Sequence, residues 1–163
     1  REKQFDFVLP PEIEADEEAK RIYLENMRRD QEDYDRLTEI LSKKHKAELL
    51  AQGVDEKKAA RDAEKRAIED ARFVLPNACT TKMIMTMNAR SLYNFFSHRC
   101  CNRAQWEIRE LATEMLRLCR EAAPELFGKS GPPCLRGCCP EGKMSCGKPN
   151  EVREIFAHLG EEE

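Results

Sequence analysis

The chain has 163 residues, of which 28 are Lys or Arg and 31 are Asp or Glu, so its formal net charge is −3 at pH 7. This length suits one domain, and the near balance of charge excludes the strongly basic surface typical of nucleic-acid-binding domains. No run of about 18 apolar residues is present, and no apolar signal-peptide core follows the start of the chain. We therefore predict a cytoplasmic protein with neither a membrane nor a nucleic acid as partner.

The first half of the chain predicts a short extended segment and then two helices. Residues 4–9 alternate aromatic and polar side chains, as in a half-buried strand, and two prolines end the segment. Apolar residues at steps of three and four then predict a long helix over residues 12–52. Asp55 is a suitable N-cap for a second helix. That helix carries small residues that allow close packing: Ala59, Ala60, Ala63, Ala67 and Ala71.

The central part predicts a strand that leads directly into an amphipathic helix. Residues 79–87 alternate between two faces, which is the periodicity of a strand. Asn88 follows where a helix N-cap belongs, because its side chain can accept a hydrogen bond from the first turn. Two stripes then run along the predicted helix, an apolar one of Leu92, Phe95 and Phe96 and a polar one of Arg90, Asn94 and His98. Because arginine offers a flat fork for anions and stacks on rings, this helix predicts a site for an anionic or planar ligand.

The last third predicts one more long helix, a region without regular structure and a final helical turn or two over residues 151–163. The long helix covers residues 104–121, and its predicted buried side comprises Trp106, Leu111, Met115, Leu116 and Cys119. Residues 128–150 contain five of the seven glycines and four of the eight prolines, a composition that holds little regular structure without a staple. The predicted fold class is therefore α+β and predominantly helical, with a long helical pair and a short antiparallel sheet.

Eight cysteines are many for a chain of this length. In a reducing compartment they bind metal or remain thiols, and four thiolates can bind Zn²⁺ tetrahedrally and supply folding energy to a glycine-rich stretch. One member of the Cys138/Cys139 pair would stay unused if Cys100 or Cys101 completed the set. We take as the predicted zinc ligands Cys101, Cys134, Cys139 and Cys146. The alternatives are reduced or oxidised thiols on a flexible tail and, after that, an iron–sulfur cluster.

Arginines surround the predicted junction of strand and helix, at Arg72, Arg90, Arg99 and Arg103. A lone helical arginine is usually a solvated charge or a member of a surface ion pair. Here four arginines accompany two asparagines, which favours a pocket for an anion or a nucleotide. The sequence contains neither a phosphate loop of the P-loop type nor a dinucleotide-binding fingerprint.

Three blocks of this region, in their order and spacing, resemble the flavin-dependent thymidylate synthase family. They are Ala71-Arg-Phe-Val-Leu-Pro76, Asn88-Ala-Arg-Ser-Leu-Tyr-Asn94-Phe, and Arg99 followed by Ala104-Gln-Trp-Glu-Ile108. The resemblance implies an enzyme that uses FAD and NADPH to move a methylene group from methylenetetrahydrofolate onto dUMP and to reduce it, giving dTMP. It also implies a homotetramer whose active sites are shared between subunits.

The resemblance implies roles for individual residues as well. FAD contacts would fall on Asn88, Ala89, Arg90 and Asn94, and dUMP contacts on Arg72 and Arg99. The catalytic role is implied for Arg99, because a fixed guanidinium beside a uracil carbonyl stabilises the anion that makes the ring carbon nucleophilic. That scheme needs no nucleophile from the protein.

One departure from the family pattern concerns its Arg-His-Arg signature, which would lie upstream of the segment that resembles residues 5–11. We therefore expect this chain alone to carry part of the site and to be inactive by itself. The expected organisation is a partial synthase-like domain over residues 1–127, a Cys/Gly/Pro-rich loop with a metal staple over 128–150, and a helical turn with an acidic tail over 151–163. The alternative function is a non-catalytic, metal-stapled interaction or nucleotide-binding module.

Overall fold

The described residues, 5–160, are predominantly helical in this computed structural model, as the sequence predicts. The chain divides into two compact units, the first ending at Met83 and the second beginning at Ile84. The division predicted after residue 127 stays a prediction. In the described part of the chain, no helix is both long and apolar enough to cross a membrane.

The first unit is built on a pair of helices. Its helices are α1 (Pro11–Glu14), α2 (Glu17–Ala51) and α3 (Glu56–Ala71), followed by the 3-10 turn Arg72–Val74. The single long helix predicted over residues 12–52 is confirmed except for a break before α2, where Asp16 accepts a hydrogen bond from Ala19 N at 2.8 Å. The predicted cap of α3 is confirmed, since the Asp55 carboxylate accepts from the backbone N–H groups of Lys57 and Lys58.

Small side chains line the buried face of α3. Alanines recur every fourth residue at Ala59, Ala63, Ala67 and Ala71, and each is 0% exposed. Ala59 and Ala63 pack against Leu49 of α2, so α3 contributes only small side chains to this contact and the two helices approach closely. The prediction of close packing is confirmed, with one exception, because Ala60 is exposed.

The predicted antiparallel sheet is not formed by residues 5–160, where a single antiparallel bridge joins Phe7 to Cys79. Residue 4, the start of the predicted extended segment, lies outside the described residues. The strand predicted over residues 79–87 is wrong, and the reason is the missing partner. Met83, Ile84 and Met85 are 72%, 102% and 53% exposed, so the alternating residues have neither a neighbouring strand nor a buried face.

The second unit packs helices around one apolar cluster. Its helices are α4 (Ala89–Arg99), α5 (Trp106–Ala122), α6 (Pro124–Phe127) and α7 (Pro149–Ala157). The cluster contains Phe96, Cys100, Ala112, Leu116, Phe127, Cys134, Val152 and Phe156. The two helices predicted here are confirmed as α4 and α5. The burial predicted for Leu111 is wrong: it is 54% exposed, and the adjacent Ala112 occupies the buried position.

Residues 128–148, here called the cysteine segment, contain little regular structure, as predicted, and have only two 3-10 turns, Pro133–Leu135 and Gly142–Met144. Two arginines hold this segment by donating to its backbone carbonyls. Arg120 of α5 donates to Ser130 O at 3.0 Å and also to Phe156 O of α7 at 2.7 Å. Arg153 of α7 donates to Cys134 O at 2.8 Å and to Gly137 O at 3.0 Å. Charged donors therefore replace the backbone ladders that a helix or sheet would supply.

Candidate functional site

The polar stripe of α4 lines an open cleft of about 550 Å³, here called the helix-4 cleft. The residues that line it are Met87, Arg90, Ser91, Asn94, Phe95, His98 and Arg99. On the other side of the helix, Phe96 is fully buried and Leu92 packs against the apolar cluster. The two stripes predicted for this helix are therefore confirmed, and the polar one faces a concave surface.

The N-terminal end of α4 is fixed by its cap. Asn88 Oδ1 accepts a hydrogen bond from Ser91 N at 2.9 Å, as the sequence predicts. The backbone N–H groups of Ala89 and Arg90 precede that position, where a helix offers no acceptor of its own and carries partial positive charge. The side chain of Ala89 packs against the apolar cluster, so Ala89 can meet a ligand only through its backbone.

The two arginines of the helix-4 cleft remain available for a ligand. Within residues 5–160, neither Arg90 nor Arg99 forms an ion pair with a carboxylate. By contrast, Arg103 Nη1 lies 2.7 Å from Glu141 Oε2. A guanidinium without a carboxylate partner keeps its planar set of five N–H donors for an incoming anion or carbonyl.

His98 lies in the cleft with a defined orientation. Its Nδ1 is 2.8 Å from the carbonyl oxygen of Asn94, and the Ser97 hydroxyl donates to the same oxygen at 2.9 Å. Because a carbonyl oxygen can only accept a hydrogen bond, we assign the ring proton to Nδ1. Nε2 is then the ring nitrogen that can accept a hydrogen bond from a ligand. His98 was not among the predicted ligand contacts, although its place in the polar stripe marks it from the sequence.

A second cavity, of about 380 Å³, lies between the end of α4 and the cysteine segment; it is called the cysteine cavity here. His98 and Arg99 line both cavities, so Arg99 belongs to a wall that the two share. The four predicted zinc ligands, Cys101, Cys134, Cys139 and Cys146, all line the cysteine cavity. Within residues 5–160, however, no group of three or more His, Cys, Asp or Glu side chains is already close enough to hold a metal ion.

Three thiols of the second unit have raised pKa values: Cys100, Cys119 and Cys134. Burial raises the pKa of Cys100, which is 1% exposed, to about 11, against an opposing hydrogen bond with Thr113. Burial also raises the pKa of Cys134, and negative charge on Cys101, Cys139 or Cys146 raises it further. The thiol of Cys100 is therefore protonated near pH 7 and is unsuited to act as a nucleophile.

The structure brings together part of the predicted ligand set. Arg90, Asn94 and Arg99 line one cleft, and Asn88 and Ala89 lie at the N-terminal end of the same helix. Arg72 belongs to the first unit, where it is exposed and begins the 3-10 turn after α3. The sequence prediction placed Phe95 on the apolar stripe and did not assign Met87 or Ser91 to the site. Ser91 and Phe95 lie four residues apart next to the polar stripe and could have been found from that spacing, whereas Met87 precedes the helix.

Comparison with known proteins gives consistent matches. The model of the family described as thymidylate synthase complementing protein (Thy1) matches residues 1–125. A flavin-dependent thymidylate synthase of Clostridium tetani is 52% identical over 153 residues, which is 94% of this chain and 58% of that protein. Proteins of the same name are 63% identical over 91 residues in Geobacter sulfurreducens (56% of this chain, 39% of that protein) and 57% identical over 67 residues in Saccharolobus solfataricus (41% and 26%).

The chain thus spans less than two thirds of the length of these relatives. The family model nevertheless covers more than half of the chain, including all of α4 and α5. The similarity to the family extends through the helix-4 cleft and includes the polar residues that line it. On these matches, the chain belongs to the Thy1 family of thymidylate synthase complementing proteins.

Proposed function

We propose that this chain provides a flavin- and dUMP-binding surface of a flavin-dependent thymidylate synthase, a methyltransferase that makes dTMP. The observation that carries the proposal is the helix-4 cleft, in which two arginines that form no ion pair within residues 5–160 lie beside an amide and an imidazole. The relatives from Clostridium tetani and Geobacter sulfurreducens, both named flavin-dependent thymidylate synthases, support the same activity. In this proposal NADPH is the reductant and methylenetetrahydrofolate the carbon donor.

We assign Asn88, Ala89, Arg90 and Asn94 to FAD. Arg90 has a fork of donors that fits a phosphate group, and the first backbone amides of α4 offer further donors to an anion at the positive end of the helix. The amide of Asn94, one helical turn further along, can both donate to and accept from a ring edge. The bound flavin would supply the hydride chemistry of the reaction, and these residues would bind and orient it.

Arg99 is the proposed catalytic residue, and Arg72 is proposed as a further contact with dUMP. A guanidinium held beside a uracil carbonyl stabilises negative charge on that oxygen, which raises the nucleophilicity of the ring carbon that accepts the methylene. Because Arg99 makes no ion pair within residues 5–160, its donors are not already committed to a carboxylate. The neighbouring Cys100 stays a neutral, buried thiol, which agrees with a scheme without a protein nucleophile.

We also propose a homotetramer with active sites shared between subunits. Met83, Ile84 and Met85 form an apolar stretch that is more than half exposed at each residue. Contiguous exposed apolar surface of this kind is typical of residues that a partner covers. Light scattering coupled to gel filtration measures the assembly directly, and a monomeric protein at assay concentration would contradict the tetramer.

A chimera tests the proposed function. This chain would replace the matching 153-residue segment of the Clostridium tetani relative. We expect the purified chimera to carry a flavin absorbance band, to release tritium from ring-labelled dUMP, and to require both NADPH and methylenetetrahydrofolate for dTMP formation. A folded chimera that neither binds flavin nor releases tritium would contradict the proposal and favour a non-catalytic binding module.

Substitutions within the chimera separate the two roles. Arg99→Ala should slow tritium release about 100-fold with flavin content retained, because one donor to the developing anion is lost. Arg90→Ala should instead weaken flavin binding about 10-fold, the effect of losing roughly 1.4 kcal/mol. Arg136→Ala, an exposed arginine outside the helix-4 cleft, is the matched control and should change neither measurement. Equal effects of Arg99→Ala and Arg136→Ala would remove Arg99 from the mechanism.

A further inference from the structure

Four of the eight cysteines surround one cavity, and they come from separate stretches of the second unit. Cys101 follows α4, Cys134 lies in the 3-10 turn Pro133–Leu135, and Cys139 and Cys146 lie in the loop before α7. The other four do not line this cavity: Cys79 belongs to the first unit, Cys100 to the apolar cluster, Cys119 to α5, and Cys138 is exposed. The exposed Cys138 and the cavity-lining Cys139 are neighbours in sequence, so the structure separates the members of that pair.

Specific contacts hold these stretches near one another. The ion pair between Arg103 and Glu141 joins a residue two positions after Cys101 to a residue two positions after Cys139. Arg153 donates to the carbonyl oxygen of Cys134 itself. The thiol of Cys134 is also electrostatically coupled to the other three thiols of the cavity. The grouping of the four cysteines therefore follows from the fold of the second unit.

The later part of the cysteine segment is poor in the interactions that normally fix a chain: Ser130, Pro132 and Cys134 are buried, but no residue from 136 to 148 is. The segment contains two 3-10 turns, and Gly142 and Gly147 have φ values of 52° and 74°, in the left-handed region that favours glycine. Gly147 directly follows Cys146, so a sharp turn presents that thiol to the cavity. A segment with little buried apolar surface gains stability when side chains from distant positions share a ligand.

We propose that Cys101, Cys134, Cys139 and Cys146 bind one Zn²⁺ ion as a tetrahedral set of four thiolates. Thiolates are the ligands that structural zinc sites use, with Zn–S distances of about 2.3 Å. Since the described residues do not already hold three such groups at binding distance, the ion would draw the loop around Cys139 and Cys146 inward across the cavity. Each thiol releases one proton as it binds the metal.

The charge of the resulting site fits its surroundings. Four thiolates and one Zn²⁺ ion leave an excess of two negative charges. Arg99 lines the same cavity and forms no ion pair within residues 5–160, so it can offset part of that charge, whereas Arg103 already pairs with Glu141 of the lining. Because Arg99 also lines the helix-4 cleft, the metal site would hold in place the wall that the two cavities share.

Metal analysis with a matched pair of variants tests the proposal on the full chain. The wild-type protein is loaded with zinc under reducing conditions and then gel filtered. It should retain one equivalent of zinc, measured by elemental mass spectrometry. Cys138→Ser should retain the same amount, whereas Cys139→Ser, one position away, should bind zinc at least 10-fold more weakly. Equal retention by the two variants, or a wild-type protein that retains no zinc, would overturn the proposal.

Further measurements keep the test informative if a serine variant fails to fold. Cys139→His preserves a zinc ligand and should restore one equivalent, because three thiolates and one imidazole also form a structural site. Cobalt substitution of the wild-type protein should give the visible absorbance of tetrahedral thiolate coordination. Two findings would overturn the zinc site: disulfides among these four cysteines in protein alkylated at cell lysis, or a coloured cluster that contains inorganic sulfide.

A protease measures the structural consequence independently of metal content. Lys143 lies in the loop that the ion would draw inward, and it is exposed in the structure. Chelation of the metal should raise the rate of tryptic cleavage after Lys143 about 10-fold, and added zinc should reverse the increase. Cleavage that is indifferent to chelator would contradict a metal that orders this loop.

Discussion

The helical pair of the first unit and the cysteine segment of the second are stabilised in different ways. Along α3, an alanine at every fourth position buries its methyl group in the contact with α2, and the same spacing repeats for four turns. The cysteine segment has no such repeat and depends on Arg120 and Arg153, which donate to its carbonyl oxygens. A periodic apolar face tolerates loss at one point, whereas a segment fixed by a few separate contacts is more sensitive to the loss of any one of them.

The largest expected effect comes from removing one of those donors. Arg120→Ala leaves the carbonyl oxygens of Ser130 and Phe156 without their charged donor and removes a guanidinium 6.0 Å from the Phe156 ring. We expect the free energy of unfolding to fall by about 3 kcal/mol, since hydrogen bonds to charged groups are the strong ones. Urea denaturation followed by circular dichroism measures the change.

Arg136→Ala is the matched control for this experiment. Arg136 lies in the same segment but is exposed. Its removal should change the free energy of unfolding by less than about 0.5 kcal/mol. If the two alanine variants were equally stable, the hydrogen bonds donated by Arg120 would not be what stabilises the cysteine segment, and the contrast with the helical pair would fail.

The helical pair should be destabilised by added side-chain volume, because its contact depends on small side chains and not on hydrogen bonds from arginines. Ala63 is 0% exposed in the contact between α2 and α3, so Ala63→Leu must push the helices apart. We expect a loss of about 2 kcal/mol in the free energy of unfolding, the usual cost of overpacking. Ala60→Leu adds the same group to the exposed side of α3 and should cost less than about 0.5 kcal/mol. Equal losses would mean that the alanine repeat does not determine the packing.

The same contrast explains which parts of the fold could be predicted from the sequence. The prediction of α3, its Asp55 cap and its alanine face is confirmed because each depends on residues within four positions of one another. The prediction of α4 and its Asn88 cap is confirmed for the same reason. The polar face of α4 could therefore be identified as a candidate site from the spacing of its residues alone.

Features that depend on distant residues could not be predicted in this way. The alternation of residues 79–87 resembles a strand, but no local pattern shows whether a partner strand exists. The hydrogen bonds of Arg120 reach residues 10 and 36 positions away in the sequence. Nothing in the sequence distinguishes Arg120 from the other arginines of α5. The cysteine cavity could be predicted in part from the sequence, because cysteines are rare enough that their clustering alone indicates a common site.

A smaller effect comes from proton binding at Cys100. The pKa of this buried thiol is about 11, above the ordinary value of 9.0, so the folded state holds the proton more tightly than the unfolded state. The associated stability is complete below about pH 9 and is lost as the pH rises towards 11. We expect wild type to lose about 1.3 kcal/mol relative to Cys100→Ala between pH 8 and pH 10. A stability difference that is independent of pH would show that the thiol is not protected by burial.

The smallest effect tests whether the helical pair depends on its ends as well as on its buried face. Asp55 accepts hydrogen bonds from the backbone N–H groups of Lys57 and Lys58 at 3.1 and 3.2 Å. Asp55→Ala should lower the free energy of unfolding by about 1 kcal/mol, whereas Asp55→Asn keeps a capping oxygen and should change it by a few tenths. If the alanine variant matched the asparagine variant, the cap would contribute nothing, and the packed alanine face alone would determine where α3 lies against α2.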